Sequence, residues 1–172
     1  MKKIITILLL GFALAKNCTA PSTPQACSVG WKITGYYVPF ESDYTGKKIP
    51  VQVGGVTYQL KEDFVSAVRM EGDGKTMEGW ILNCCPFARA TKVIGSCNKE
   101  LRELEAVARD AQMMKCDTSV TIKTPILSGK VFKALDTGGA IKGKHLDVFC
   151  GFGKQGKDLS YKITTSNAEV CY

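Results

Sequence analysis

Asp136 and Asp147 are the residues of this chain whose type and spacing best suit chemistry. They lie eleven positions apart in ALDTGGAIKGKHLDVFCGFG, residues 134–153. Asp136 ends one strand and opens a glycine-rich loop; Asp147 falls inside the next strand. A strand–loop–strand return of that length can carry both carboxyl groups to one end of a barrel. Side chains alternate along a strand, so His145, Asp147 and Phe149 share a face while Leu146 and Val148 share the other. A carboxylate between apolar neighbours costs free energy unless it is solvated, paired or protonated. Asp147 is therefore the candidate proton donor, and near neutral pH a donor needs a raised pKa. An ionised Asp136 about 4 Å away would supply up to about 4 kcal/mol of that shift at an effective dielectric of about 20. The competing role is structural, because Asp-Thr-Gly also suits a turn in which carboxylates accept backbone amides.

The elements that must position these residues read mainly as β. Trp31 to Pro39 is β-branched and aromatic and ends at proline, which predicts a strand. Ile49 to Leu60 predicts a hairpin turning at Gly54-Gly55. Lys61 to Met70 predicts a short helix with Phe64, Val65, Val68 and Met70 on its apolar side. Met77 to Asn83 predicts a strand. Asn98 is placed to cap a helix over Lys99 to Met113, with Leu101, Leu104, Ala108 and Ala111 on one face. Further strands are expected over Ser119–Lys123, Lys130–Leu135, His145–Cys150 and Tyr161–Thr165. Seventeen glycines, short strands and one or two helices favour a small closed barrel over a helical bundle.

Length and composition bound the rest. At 172 residues, 45% hydrophobic and 23% charged, the chain suits one globular domain. Residues 1–15 read as a secretory signal peptide: Lys2 and Lys3, then an apolar run, then the small-x-small site Ala13-Leu14-Ala15. Residues 16–30 read as an irregular arm and 31–172 as the folded domain. Cleavage removes Lys2 and Lys3 and so lowers the net charge from +7 to +5, a modest basicity that suits an anionic wall polymer, a membrane surface or plain solubility. No basic helix or aromatic stripe points to nucleic acid. All eight cysteines (Cys18, Cys27, Cys84, Cys85, Cys97, Cys116, Cys150 and Cys171) follow the cleavage site, so disulfides in an exported protein are expected. The pairing expected is Cys18–Cys27 and Cys150–Cys171, with the other four among themselves and the adjacent Cys84 and Cys85 going to different partners. Lacking C-x-x-C and with His145 its single histidine, the chain does not suggest a metal site. No cofactor is expected, no membrane-spanning segment after cleavage, and a monomer.

The stretch D-T-G-G-A-I-K-G-K-H-L-D-V-F resembles the signature of the three-aspartate (3D) domain, which also forms the catalytic end of the membrane-bound lytic murein transglycosylases of type A. Two of its aspartates fall on Asp136 and Asp147. The third falls on Asp117, where D-T-S-V-T-I-K-T-P-I follows the pattern loosely. G-Y-Y-V-P at 35–39, E-S-D-Y-T-G at 41–46 and V-R-M-E-G-D-G-K-T at 68–76 also resemble family members. The resemblance implies a six-stranded double-psi β-barrel, mainly β and disulfide-bonded. It implies cleavage of the bond between N-acetylmuramic acid and N-acetylglucosamine, with a 1,6-anhydro product and Asp147 as acid/base. Because the muramyl C6 hydroxyl is the nucleophile, one protein carboxyl can suffice, whereas a hydrolase needs a second. That second carboxylate would be Asp117 or Asp158. Aromatic platforms for sugar are sought among Trp31, Tyr36, Tyr37 and Trp80. Tyr36 and Tyr37 point to opposite faces, and Tyr37 and Trp80 are the expected contacts, with Thr137, Lys142 and Lys144 as polar ones. The alternative is an expansin- or barwin-like protein that binds or loosens wall polysaccharide without cleaving it.

Overall fold

The computed structural model describes residues 26–172. The expected signal peptide over 1–15 and Cys18 lie outside the described residues. In chain order the elements are β1 (Cys27–Val38), β2 (Lys48–Val53), β3 (Val56–Lys61), α1 (Glu62–Glu71), β4 (Asp73–Lys75), β5 (Ile81–Asn83), β6 (Ala88–Ala90), β7 (Ala106–Ala108), β8 (Ser119–Lys123), β9 (Val131–Asp136), β10 (His145–Phe152), α2 (Gly153–Ile163) and β11 (Thr165–Cys171). Six of the strands close into a barrel in the order β1-β10-β7-β9-β8-β11. Two of its pairings are parallel, β1 with β10 and β7 with β9. The mainly β, six-stranded double-psi barrel with two helices is thus the fold.

The barrel interior holds Trp31, Ile33, Val107, Val120, Ile122, Phe132, Leu146, Val148 and Val170, drawn from every barrel strand. This is the inward half of the period-two pattern. A second core forms where α1 lays Phe64, Val65 and Val68 against Val51, Val53 and Leu60 of the β2–β3 hairpin and against Trp80 and Leu82. The hairpin turns at Gly54 and Gly55, with φ of 56° and 84°, the left-handed pair that a two-residue turn requires.

Several elements depart from expectation. β1 starts at Cys27, inside the segment expected to be an irregular arm. Its early part pairs with β11, Cys27 facing Cys171. β5 is only Ile81–Asn83; the residues before it form a turn. The helix expected over 99–113 does not form. Asn98 and Leu104 have φ of 58° and 55°, and Ala106–Ala108 is instead a barrel strand buried on both faces. Leu101 still packs inward, against Val38, Val93 and Leu135, but from a loop. Alanine's helical preference loses to pairing on both edges of β7. Residues 161–163, expected in a last strand, belong to α2, and the last strand runs over Thr165–Cys171.

Among the described residues the disulfides are Cys27–Cys171, Cys97–Cys116 and Cys84–Cys85. The expected Cys150–Cys171 and Cys18–Cys27 pairs are therefore wrong. Cys171 and Cys27 are register partners on β11 and β1, while Cys150 points into the barrel core and stays a free thiol. Cys84 and Cys85 bond to each other rather than to different partners, since Cys97 and Cys116 already satisfy one another.

Candidate active site

The sheet register builds the site. Asp147 on β10 faces Ala108 of β7, and Ala108 in turn faces Asp136 at the end of β9. The two aspartates thus stand on either side of one small residue. On the other edge of β10, parallel pairing sets Thr34 of β1 opposite Asp147. An open cleft of about 280 Å³ lies over this patch, lined by Thr34, Tyr36, Glu71, Asp136, Thr137 and Asp147 among others.

Asp136 is tightly held. Its Oδ1 accepts from the backbone N–H groups of Ser96 and Thr137, each at 2.9 Å, and its Oδ2 from the Tyr36 hydroxyl at 3.1 Å. Its main-chain carbonyl accepts from the buried Arg109 guanidinium at 2.7 Å. Asp110 pins the far side of the following loop by accepting from Gly143 N–H at 2.9 Å. Asp147 differs. Burial pushes its pKa up, and the charge of Asp136 adds to the shift, against the Thr34 hydrogen bond and the Lys32 charge. Thr34 Oγ1 donates to Asp147 Oδ1 at 2.6 Å and lies 2.9 Å from His145 Nε2. Burial, with nearby Lys32, holds the His145 pKa below its ordinary value, so the ring is neutral at pH 7. Three side chains on two parallel strands therefore form one hydrogen-bonded line.

The remaining expected residues divide. Thr137 lines the cleft. Asp117 does not: its exposed carboxylate pairs with Lys99 at 2.6 Å. Trp80 is buried under the β2–β3 hairpin, 4.9 Å from the Tyr58 ring, and is no platform there. Lys142 and Lys144 are exposed and outside the cleft lining, with Lys144 Nζ donating to Val29 O. Asp158 lines a separate pocket with Tyr37, Lys154 and Lys157. Tyr37 faces away from the aspartates, its hydroxyl 3.4 Å from that of Tyr44, and it is Tyr36 that enters the cleft. Trp31 is core.

Sequence reasoning missed Thr34 and Glu71. Thr34 is i−2 to Tyr36 and so on its face, but only the β1–β10 register reveals its partner. Glu71 lies in the V-R-M-E-G-D-G-K-T stretch already singled out, and nothing in one sequence marks it as facing Asp147. Burial raises its pKa to about 7; the Tyr37 N–H and Lys157 oppose the shift and the Asp147 charge adds to it.

The closed barrel thus brings two aspartates, on β9 and β10 with β7 between them, into one open cleft, and burial favours the protonated form of Asp147. Residues 105–165 match the family model of the 3D domain. A membrane-bound lytic murein transglycosylase A homologue from Buchnera aphidicola subsp. Schizaphis graminum (strain Sg) is 34% identical over 87 residues, which is 43% of this chain and 24% of that protein. The chain spans about a quarter of the length of this curated relative. Among solved structures, Escherichia coli MltA with bound chitohexaose superposes with a TM-score of 0.66 at 14% identity, covering 81% of this chain and 70% of that one. A membrane-bound lytic murein transglycosylase from Agrobacterium tumefaciens gives 0.62 at 13% identity, covering 83% and 73%. At such identities the likeness is one of fold.

Proposed function

We propose that this chain is an exported lytic transglycosylase that cleaves the bond between N-acetylmuramic acid and N-acetylglucosamine in peptidoglycan. The observation that carries the reading is the meeting of Asp136 and Asp147 in one cleft, with the Asp147 pKa raised by burial. The name of the Buchnera relative and the chitohexaose bound to E. coli MltA support the substrate class.

Asp147 gives its proton to the glycosidic oxygen as the bond to C1 breaks. Asp136, held in place by three donors, faces the positive charge that develops at C1. The C6 hydroxyl of the muramyl ring then bonds to C1 and returns its proton to Asp147, closing the 1,6-anhydro ring. No water is consumed, and the acid is regenerated within the step. Thr137 at the cleft rim is a substrate contact, and Tyr36 takes the place expected for Tyr37. The exported, monomeric state expected from the sequence is part of the same proposal. No described helix is long and apolar enough to cross a membrane.

Digestion of purified murein, read by mass spectrometry for 1,6-anhydromuropeptides, tests the reading. Asp147→Asn lowers their release by about 10²–10⁴-fold, the usual contribution of a general acid. Full activity of a folded Asp147→Asn protein would remove Asp147 from the mechanism. Glycan binding unaffected by that change, with no new chain ends from the wild type, would select the non-catalytic wall-binding alternative.

A further inference from the structure

Anhydro-ring closure needs one protein carboxyl, yet the cleft has three, supplied by β9, β10 and the end of α1. Asp136 is already held by three donors, two amides on Oδ1 and a phenol on Oδ2. Glu71 is not. Its Oε2 accepts from Tyr37 N–H at 3.2 Å, and that is its one hydrogen bond among the described residues. Gly72 follows with φ of 96° and turns the chain out of α1, so the Glu71 side chain is delivered to the cleft from the element opposite the barrel wall. Glu71 also lines the neighbouring, larger groove, which shares Thr34, Gly35 and Met70 with the cleft and opens toward Lys157 and Tyr161. That groove gives solvent a route to the carboxyl.

We propose that Glu71 is a second catalytic carboxyl of this cleft, one that activates water, so that the barrel releases reducing chain ends as well as anhydro ends. The proposal rests on the transglycosylase reading above and adds an activity to it. In the added branch, Asp147 again gives its proton to the glycosidic oxygen as the C1–O bond breaks. A water oxygen bonds to C1 and its proton passes to the Glu71 carboxylate. The products are a hemiacetal end and a free 4-hydroxyl. Glu71 then releases its proton to solvent, and Asp147 regains one. This is the two-carboxylate requirement of glycoside hydrolysis, met by a residue other than Asp117 or Asp158.

The charged and titratable groups around Glu71 are Asp147 and the Cys150 thiol from β10, Lys157 from α2 and the Tyr37 hydroxyl from β1, and the Tyr37 backbone N–H donates to it. Burial and Asp147 lift the Glu71 pKa to about 7. A base acts in its ionised form, so the reducing-end share of products rises with pH through about 7.

Purified murein is digested in H₂¹⁸O by wild type, Glu71→Gln and Glu71→Asp, and both kinds of end are counted by mass spectrometry. The expected result is ¹⁸O-labelled reducing ends beside anhydro ends from the wild type. Glu71→Gln lowers the labelled share by about a hundredfold or more, within the range of general base catalysis, while anhydro ends still form. Glu71→Asp, which keeps a carboxyl, restores part of it. Anhydro ends alone from the wild type, or an unchanged product ratio in Glu71→Gln, overturn the assignment and leave the transglycosylase reading intact. No cleavage of either kind by folded wild-type protein overturns both.

Discussion

Thr34 loosens the hold of Asp147 on its proton. A hydroxyl donating at 2.6 Å stabilises the carboxylate form and so works against burial and the Asp136 charge. Thr34→Val keeps the shape and removes the donor. Losing a hydrogen bond to the charged form pushes the Asp147 pKa further up. The alkaline limb of kcat/KM, where the acid loses its proton, moves to higher pH by the same amount, which a pH–rate profile reads directly. Glu71 gives a second, independent prediction, in stability. Its pKa rises from an ordinary 4.5 to about 7 on folding, so the folded state binds a proton that the unfolded chain has lost. Stability from this group is present below pH 4.5 and is lost as pH rises toward 7. Glu71→Gln removes the penalty. We expect a gain of about 1–2 kcal/mol at pH 8, after allowance for solvent screening, and little change at pH 4. Chemical denaturation at the two pH values checks it. At this scale Asp136 and Asp147 were legible because a glycine-rich return between two strands is a local pattern. Thr34 and Glu71 were not, because each meets Asp147 only through pairing or packing across more than seventy residues of chain.

β7 is three residues long and wholly buried, yet it carries the geometry of the site. Its Ala108 stands between Asp136 and Asp147, and its small side chain is what leaves the cleft open. Ala108→Leu fills that space. Overpacking of this kind costs about 1–3 kcal/mol, and the occupied cleft no longer admits a sugar, so murein cleavage falls more than stability does. Thermal melting and digestion of the same sample separate the two effects. A different close approach holds α2 on the barrel. A Cβ at Gly35 would lie 2.7 Å from both the Ser160 backbone and the Cys150 sulfur. This lets the helix pack on β1 beside the hydrogen-bonded line of Thr34, His145 and Asp147. The strands of the hairpin, β8, β9 and β10 were readable because alternation and turn residues agree there. β7 and α2 were not. The run around β7 has the composition and spacing of an amphipathic helix, and α2 holds two glycines in eleven residues, which lowers its helical signal. In both, contacts distant in sequence override the local preference.

Over the whole molecule, one disulfide closes the barrel at its seam. Cys27–Cys171 joins the first and last strands across 144 residues, whereas Cys97–Cys116 spans 19 and fastens the loop ahead of β7 to the approach to β8. If each acts by restricting the unfolded chain, the long loop contributes roughly 5 kcal/mol and the short one roughly 3 kcal/mol. The double variant Cys27→Ala with Cys171→Ala therefore loses more stability than Cys97→Ala with Cys116→Ala, by roughly 2 kcal/mol, in urea denaturation under non-reducing conditions. Site geometry pulls the other way. Ser96, beside Cys97, donates to Asp136, and the short bridge lies within a few residues of that carboxylate's support. Opening it should reduce murein cleavage at a temperature where the protein is still fully folded, while opening the seam bridge should leave cleavage of the folded fraction unchanged. Equal stability losses for the two double variants would mean that native-state contacts, rather than chain entropy, set what each bridge contributes. Equal activity would mean that the Ser96 amide holds Asp136 without the bridge behind it.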